Sequence, residues 1–446
     1  MKRKDRRVDL AGVVDLIHEH LTDALCSAVF QETRTRERVR VWTLGHLARF
    51  WVWVVAFAPP SLRAALAEAG GEGPGRFQAP DASAASFFKR CQRLRPTFAA
   101  ELFRRFADAV RGGGKAFHKS LRPVRNRFAA IEAVDASDLD QVRRRLKVLW
   151  KDRRVPLGGM VLAFYDVCAG MLRDLVCEAR VGTSEFAMAV GALDRVAPDS
   201  LLVGDRLYGV PKFAAACRAK GIFLLGRLFR AVQVSRNRLL STTPYQGGVL
   251  EDWESIVGSG QTTEPQPVRV IRWRQGRGIR LELVTTVAAP KRLGAVEALE
   301  VYRGRWKVER LFSDLKDVLD LHHFYAANSN AIALQLYATA ILHTAMRACQ
   351  AKIAAQAKVE PEALSTRKLF PKLAIASSEV VTMRCTIVAI ERLNPGIDLK
   401  KPGTDILKSA SVPLSKILVE RRTSKKRKRI RPIARWRSLP SPEEPP

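Results

Sequence analysis

Apolar residues in the first 115 positions recur with the spacing of helices. The segments "SLRAALAEAG" and "ELFRRFADAVRGGG" place apolar side chains every three to four residues and end at glycine, which commonly stops a helix. The run "FWVWVVAFAPP", residues 50–60, is too short to span a bilayer and predicts a buried helix instead. Residues 1–115 are therefore predicted to form a helical N-terminal domain.

The pattern changes after Gly114 to short apolar runs separated by turns. The run "RFAAIEAVDAS" predicts a strand from Phe128 to Asp135, and "GGMVLAFYDV" and "MLRDLVCEAR" predict two more, joined by the tight turn Cys168–Gly170. A helix in "SEFAMAVGALDRV", the strand "LLVGD", a helix in "YGVPKFAAACRAKG" and the strand "IFLLG" follow. Three strands, helix, strand, helix, strand is the order of a mixed α/β unit, which we assign to residues 125–226.

The next segment shows alternation of apolar and charged residues. The stretch "VRVIRWRQGRGIRLELVTTV" alternates on both sides of a glycine-containing turn, which predicts a β-hairpin. Helical spacing resumes in residues 294–320 and 328–358. The predicted order after residue 226 is therefore a β-rich insertion at 227–290, a second part of the core at 291–350, a helical region at 351–420 and a basic disordered tail at 421–446.

The charge of the chain narrows its choice of partners. Lysine and arginine number 76 against 44 acidic residues, a net charge of +32, which favours a polyanion such as DNA bound through its phosphates. Residues 1–115 are accordingly predicted to bind DNA, with a plain helical scaffold as the alternative. The basic tail is predicted to touch nucleic acid, with a solvated charge run of no specific role as the alternative. The seven cysteines form no C-x-x-C pair, and the basic start of the chain is not a signal peptide. A cytoplasmic protein is expected.

A stripe of unusual composition lies along one edge of the predicted helix 294–320. Because each residue of an α-helix turns by about 100°, four residues of mixed chemistry fall within a wedge of roughly 60°: Tyr302, Arg305, Glu309 and Lys316. The neighbouring wedge is the predicted core face, formed by Val301, Val308, Phe312, Leu315 and Leu319. The opposite, wetter side holds Arg303, Lys307, Arg310 and Asp314. Taken alone, an i,i+4 pair of Arg305 and Glu309 on a solvated helix would explain the stripe.

Two carboxylates upstream change this interpretation. Asp135 in "AVDAS" and Asp205 in "LVGDRLYG" each end a short apolar strand, and the carboxyl ends of neighbouring parallel strands form the crevice of an open α/β sheet. If these strands are neighbours, the two carboxylates face each other and Glu309 completes a set of three. Oxygen ligands of this kind suit Mg²⁺ or Mn²⁺, and two such ions can clamp a phosphodiester. Asp138, three residues beyond Asp135, is an alternative first ligand.

These residues together resemble a known family. "VDAS", "LVGDRLYG" and the stripe Y-x2-R-x3-E-x6-K are similar to the cut-and-paste DDE transposases of bacterial insertion sequences, in the subgroup whose signature is Tyr-Arg-Glu-Lys (YREK). The resemblance runs from about residue 125 to 350. It implies an α/β fold with a ribonuclease-H-like catalytic core and a β-rich insertion, flanked by helical N- and C-terminal regions. It also implies catalytic and metal-binding roles for Asp135, Asp205 and Glu309, and contacts to terminal phosphates from Tyr302, Arg305 and Lys316.

The function that the resemblance implies is transposition. A homodimer would bind the terminal inverted repeats of its element in double-stranded DNA, hydrolyse the phosphodiester at each end with two Mg²⁺ or Mn²⁺ ions, and join the 3′-hydroxyl to target DNA. The expected location is the bacterial cytoplasm, in association with the nucleoid and with no membrane. Two alternatives stay open: a transposase-derived protein that binds DNA without cleaving it, and another ribonuclease-H-like nuclease.

Overall fold

A computed structural model describes most of the first 373 residues. The described residues are 7–8, 19–69, 80–112, 121–138, 160–178, 184–258, 264–321, 323–326, 328–373, 412–413, 416 and 419. The predicted basic tail at 421–446 and most of the predicted helical region at 351–420 lie outside them. The domain limits drawn from the sequence stay predictions.

The described N-terminal region is helical. Its helices are α1 (Asp23–Thr33), α2 (Leu44–Phe57), α3 (Leu62–Ala69), α4 (Ala84–Arg93), α5 (Pro96–Gly112) and the short α6 (Arg122–Arg125). The side chains of Thr22, Thr43 and Ser83 cap α1, α2 and α4 by accepting a backbone N–H. Phe50 and Trp51 of α2 are buried, as the apolar run predicts. Among the described residues no single helix is long and apolar enough to cross a membrane. Only α2 and α3 taken together reach that length and composition, and they are bent by 113° at the break between them.

Nine of the described strands form one mixed sheet. In chain order they are β1 (Ile131–Asp138), β2 (Met160–Asp166), β3 (Met171–Glu178), β4 (Leu201–Gly204), β5 (Phe223–Arg227), β6 (Val234–Tyr245), β7 (Gly248–Val257), β8 (Gln266–Gln275) and β9 (Gly278–Thr285). Their spatial order is β3-β2-β1-β4-β5-β9-β8-β7-β6. β1, β4 and β5 are parallel, and β2 is antiparallel to both β1 and β3. This order of the first five strands is ribonuclease-H-like, so the predicted fold class is confirmed.

The β-rich insertion continues the same sheet through two hairpins. Gly247 (φ 71°) and Gly276 (φ 57°) supply the left-handed backbone that the tight turns of β6–β7 and β8–β9 require. β9 then pairs antiparallel with β5, with Leu283 opposite Arg227. The hairpin predicted from the alternation in "VRVIRWRQGRGIRLELVTTV" is β8–β9, and it is confirmed.

The helix predicted over 294–320 forms in three pieces. They are α9 (Ala295–Gly304), α10 (Trp306–Ser313) and a π-helical turn (Asp314–Val318), followed further on by α11 (Ser329–Ala357). The predicted core-face residues are all buried: Val301, Val308, Phe312, Leu315 and Leu319. The prediction of one uniform α-helix with Asp314 on its wet side is wrong. Asp314 is buried, and its carboxylate accepts a hydrogen bond from the Thr366 hydroxyl at 2.8 Å.

The first strand is shifted along the chain from its predicted position. The expectation was Phe128 to Asp135, but β1 runs from Ile131 to Asp138 because its ladder with β2 continues to the pair Asp138–Met160. Asp135 therefore lies within the strand and not at its end. β1 is buried on both faces, with Ala133 in the core beneath the long helices and Val134 in the core under α7 (Glu185–Gly191) and α8 (Pro211–Ala219).

Candidate functional site

Asp135 and Asp205 lie at the same level of two neighbouring strands. β1 and β4 pair in parallel with Ile131 opposite Leu201, and each aspartate lies four residues beyond that pair. Both side chains are half-buried, and Asp205 accepts the backbone N–H of Leu207 at 2.7 Å, which fixes its turn. The predicted adjacency of the two strands is therefore present. This adjacency places both carboxylates toward the carboxyl ends of β1 and β4, on the side of the sheet where α/β proteins bind ligands.

The environment of Asp135 is strongly acidic. Burial, followed by the negative charges of Glu185 and Asp205, raises the pKa of Asp135 to about 7, while Arg305 opposes the rise. The carboxyl group is therefore only partly ionised near neutral pH in the absence of added cations. A divalent cation beside the two aspartates would offset the same repulsion.

Glu185 is an acid of this site that sequence spacing did not single out. It is the first residue of α7, and its Oε1 accepts a hydrogen bond from the Tyr208 hydroxyl at 2.6 Å. Tyr208 is fully buried three residues after Asp205, so this bond ties α7 to the turn that carries Asp205. Burial raises the pKa of Glu185, and the charge of Asp205 adds to that rise although the Tyr208 bond opposes it. An acid in the first turn of a helix is too common a pattern to have indicated this role.

Arg305, directly before α10, connects this helix to Asp135. Its Nη1 donates to Glu309 Oε1 at 2.8 Å, and its Cζ lies 5.7 Å from the centre of the Tyr302 ring. Arg305 and Tyr302 are each 6% exposed, so this part of the stripe is buried and does not lie on a solvated face of the helix. Burial lowers the pKa of Arg305, but Tyr302, Glu309 and Asp135 together hold it above its usual value. The guanidinium therefore interacts with both Glu309 and Asp135.

Lys316 reaches the same strand from the π-helical turn. Its Nζ donates to the Ser137 hydroxyl and, at 3.3 Å, to the carbonyl oxygen of Asp138. The side chain of Asp138, the alternative first ligand, is exposed at the end of β1. Residues three apart on a strand point to opposite faces, and it is Asp135 that neighbours Asp205 and Arg305.

The predicted set of three acids is not assembled as a metal site. Within the described part of the chain, no three His, Cys, Asp or Glu side chains lie close enough together to hold a metal ion. Glu309, the predicted third ligand, is bonded to Arg305 instead. Asp135 and Asp205 still offer oxygen donors at one level, which is the donor chemistry that Mg²⁺ and Mn²⁺ prefer. These two residues fit such an ion, and Glu309 could join them only after leaving Arg305.

An exposed indole lies next to this site. Trp306 begins α10 and is 60% exposed, and the Cζ of Arg305 lies 4.9 Å from its ring centre. Its position just outside the stripe gave no signal in the sequence. An exposed aromatic face beside a cation is a surface on which a nucleic-acid base can stack.

A second surface, the N-terminal groove, is strongly basic. It is an open depression of about 610 Å³ between α4 and the loop before α2. Six cations and one acid are among the residues that line it: Arg36, Arg38, Arg40, Lys89, Arg90, Arg93 and Glu37. Glu37 is bonded to Arg95 at 2.7 Å, so its charge does little to neutralise the groove. The groove suits a chain of phosphates.

The strand order and the carboxylates at one sheet edge define a ribonuclease-H-like α/β protein with an acidic site. Residues 133–345, just under half of the chain, match the family model described as "Transposase DDE domain". The six predicted site residues all lie within this match: Asp135, Asp205, Tyr302, Arg305, Glu309 and Lys316. Over this segment the chain is similar to the transposase DDE domain, and the Tyr-Arg-Glu-Lys subgroup stays a prediction.

Two known proteins are also similar to the chain. One, from Sinorhizobium fredii (strain NBRC 101917 / NGR234), is named "Putative transposase y4zB" and is 27% identical over 138 residues, which are 30% of this chain and 38% of that protein. The matched stretch thus spans well under half of the relative. The other is the piggyBac transposase in a synaptic complex with hairpin DNA, with a TM-score of 0.39 and 10% identity over 92% of this chain and 87% of that chain.

Proposed function

We propose that this chain is a DNA transposase that cleaves and joins phosphodiester bonds at the sheet edge formed by Asp135 and Asp205. The observation that carries the proposal is that these two acids lie at the same level of the neighbouring strands β1 and β4, inside a segment similar to the transposase DDE domain. Carboxylates alone would repel a phosphate, but Arg305 and Lys316 lie beside them. Adjacent cations allow a phosphodiester to approach and stabilise the charge that develops on it.

Each side chain has a distinct part in the proposed reaction. Two Mg²⁺ or Mn²⁺ ions held by Asp135 and Asp205 would activate the attacking water or hydroxyl and stabilise the leaving oxygen. Arg305 can grip a phosphate through its planar fork, whereas Lys316 acts as a point charge. Tyr302 packs beneath Arg305 and orients its guanidinium. Together they would hold the phosphates at the end of the DNA.

The Arg305–Glu309 pair suggests how DNA completes the site. A phosphate that takes the guanidinium as its partner would displace the Glu309 carboxylate, which is bound at 2.8 Å and is 40% exposed. The released Glu309 could then turn toward the aspartates as the third oxygen ligand. In this proposal the acids become a complete set when DNA binds.

The N-terminal groove would bind the terminal inverted repeats of the element. Its six cations can contact several phosphates, while the site of Asp135 and Asp205, the catalytic edge, binds the end of the duplex. Such binding is expected to weaken steeply with salt. A homodimer that brings two ends together in double-stranded DNA, and a location in the bacterial cytoplasm near the nucleoid, complete the proposal.

A second candidate is a transposase-derived protein that binds DNA without cleaving it. The observation in its favour is the resting pairing of Glu309 with Arg305, together with the lack of a ready three-ligand group among the described residues. The N-terminal groove serves this candidate equally well. The two functions differ only in whether cleavage occurs.

Cleavage of DNA ends by an Asp205→Asn variant tests the proposal. The full-length chain is incubated with a duplex carrying the inverted repeat of its element, with and without Mg²⁺, and nicks at the end are measured. Wild type should cleave only with the metal, and the variant should lose cleavage by at least about a hundredfold while its DNA affinity is unchanged. Equal cleavage by wild type and variant would refute the assigned role. DNA binding without cleavage by the wild type would favour the second candidate.

A further inference from the structure

A cavity of about 290 Å³, here termed the rear pocket, lies beside α9 and α10. It is enclosed by these two helices, β2, α11 and the turn that follows α11. Four cations and two acids are among the residues that line it: Arg303, Lys307, Arg310, Arg347, Asp314 and Glu362. None of the three acids assigned to the reaction contributes to this lining.

Both acids of the rear pocket have partners in the structure. Asp314 accepts from the Thr366 hydroxyl at 2.8 Å, and Glu362 lies 3.7 Å from the Lys307 ammonium. Arg303 donates to the neutral amide oxygen of Gln246 at 2.8 Å, so its charge is not offset by that contact. Arg310 is exposed, and among the residues that the structure describes it forms no ion pair. The pocket therefore carries an excess of positive charge at its mouth.

A buried histidine with unfilled hydrogen-bonding capacity lines the rear pocket. His343 of α11 is 1% exposed, and neither ring nitrogen has a hydrogen-bond partner in the described part of the chain. Its Nε2 is 3.7 Å from Asp314, which is too long for a hydrogen bond. Burial lowers the pKa of His343 although the neighbouring Asp314 opposes this, so the ring is neutral and offers one N–H. A buried donor without an acceptor is costly, and an anionic oxygen in the pocket would satisfy it.

The rear pocket opens on a different side of the helix from the catalytic edge. At about 100° per residue, Lys307 and Arg310 lie at least roughly 100° around the axis of α10 from Glu309. A phosphate held there is therefore not the one undergoing reaction at the aspartates. Trp306 is among the lining residues and also contacts Arg305, so it separates the two surfaces.

We propose that the rear pocket binds a backbone phosphate of a DNA strand other than the strand end at Asp135 and Asp205. Arg303 and Arg310 attract the phosphate, and the buried imidazole of His343 supplies a donor at the inner end. The assignment of DNA as the occupant rests on the proposed function. The binding chemistry is that of a phosphate, which a free inorganic phosphate ion shares.

The first test measures DNA binding by Arg310→Gln and Arg303→Gln variants of the full-length chain. Fluorescence anisotropy with a labelled duplex, repeated from about 50 to 200 mM salt, gives the slope of log affinity against log salt. Each variant should lose affinity several-fold, and the slope should fall by about 1, as for one lost phosphate contact. Arg238→Gln, which removes a 71% exposed arginine from the insertion, is the matched control and should leave the slope unchanged. Slopes equal to wild type in both pocket variants would overturn the proposal.

The second test separates DNA from free phosphate. Thermal melting is compared in sodium phosphate and sodium chloride at matched ionic strength. Phosphate should raise the melting temperature of wild type and of Arg238→Gln but not that of Arg310→Gln. Loss of the phosphate effect with an unchanged DNA slope would identify a free-anion site and overturn the DNA assignment. An equal phosphate effect in all variants would show that the pocket is not the binding place.

The outcomes remain distinct from those of the cleavage experiment. Asp205→Asn keeps the rear pocket intact, so it should lose cleavage and retain the full salt slope. Arg310→Gln should show the opposite result. Its salt slope should be reduced, and its cleavage should be restored by a higher DNA concentration. Failure of cleavage in the wild type would count against the proposed function alone, because the pocket is measured by binding.

Discussion

Arg305 binds the carboxylate of Glu309 at 2.8 Å, and the same guanidinium lies close enough to Asp135 to limit the rise in the pKa of that carboxyl. One buried cation thus serves two of the three acids that the proposed reaction requires. A divalent cation that enters the site must compete with Arg305 for both. This relationship makes the metal affinity, the pH dependence and the DNA response of the site interdependent.

Removal of that cation should strengthen metal binding and weaken catalysis. In Arg305→Gln, Asp135 and Glu309 lose their competing partner, so Mn²⁺ affinity in the absence of DNA should rise by about tenfold, equivalent to ~1.4 kcal/mol. Electron paramagnetic resonance of free Mn²⁺ measures the change. Cleavage should fall because a phosphate contact is lost. Arg238→Gln is the control, and a Mn²⁺ affinity unchanged from wild type would contradict the competition.

Asp135 should destabilise the metal-free protein at high pH. Its pKa is about 7 in the folded chain, against ~4 when unfolded, so the folded state holds the extra proton between these values. The stability that Asp135 contributes is therefore present at low pH and is lost as the pH rises toward 7. With a chelator present, Asp135→Asn should stabilise the fold on the order of 2–4 kcal/mol at pH 8, and by little near pH 4.

Denaturant unfolding at both pH values measures this effect. The exposed acid Asp194, paired with Lys220 at 2.5 Å, supplies the control. Asp194→Asn should change the free energy of unfolding by no more than about 1 kcal/mol at either pH. A stabilisation by Asp135→Asn that is the same at pH 4 and pH 8 would show that the carboxyl is not perturbed as described.

Glu185 should tune the pH response of Asp135. Glu185→Gln keeps an oxygen acceptor for the Tyr208 hydroxyl but removes the largest negative charge contribution at Asp135. The pKa of Asp135 should fall, so the metal-free protein should lose less stability between about pH 4 and pH 8, and the pH at which this loss is complete should shift downward. Tyr208→Phe instead removes the hydrogen bond and should destabilise the chain by about 1–2 kcal/mol without reproducing that downward shift. Identical pH profiles for Glu185→Gln and wild type would exclude this electrostatic link.

Trp306 should matter for DNA and little for the fold. Its ring is 60% exposed, so Trp306→Ala should leave the melting temperature within a few degrees of wild type. Loss of a stacked base costs about 1–3 kcal/mol, so affinity for a duplex with an unpaired end should fall roughly fivefold to a hundredfold. Trp306→Phe should restore part of it. Equal loss of affinity for fully paired and unpaired ends would argue against stacking.

The sequence pattern predicted much of the secondary structure, whereas the roles of the site residues stay predictions. The short apolar strands, the glycine-containing turn of β8–β9 and the helical core face of Val301, Val308 and Phe312 were predicted correctly, because each depends on residues close in the chain. Asp135 and Asp205 could be placed on neighbouring strands because each follows directly on an apolar run, although β1 continues past Asp135 to Asp138. The four-residue spacing of Arg305 and Glu309 also predicted that these two side chains lie side by side.

Tertiary contacts decided what the local pattern could not. Glu185 joins the acids only because the buried Tyr208, 23 residues away, donates to it across the sheet edge. The π-helical turn begins at Asp314, which is drawn inward by Thr366, 52 residues further along the chain. The partner of Glu309, either Arg305 or the aspartates, likewise depends on which charges lie near it in the folded chain. The spacing of residues along a helix does not determine this. The sequence by itself determined which groups are present and on which elements, whereas burial and long-range partners determined which of them meet.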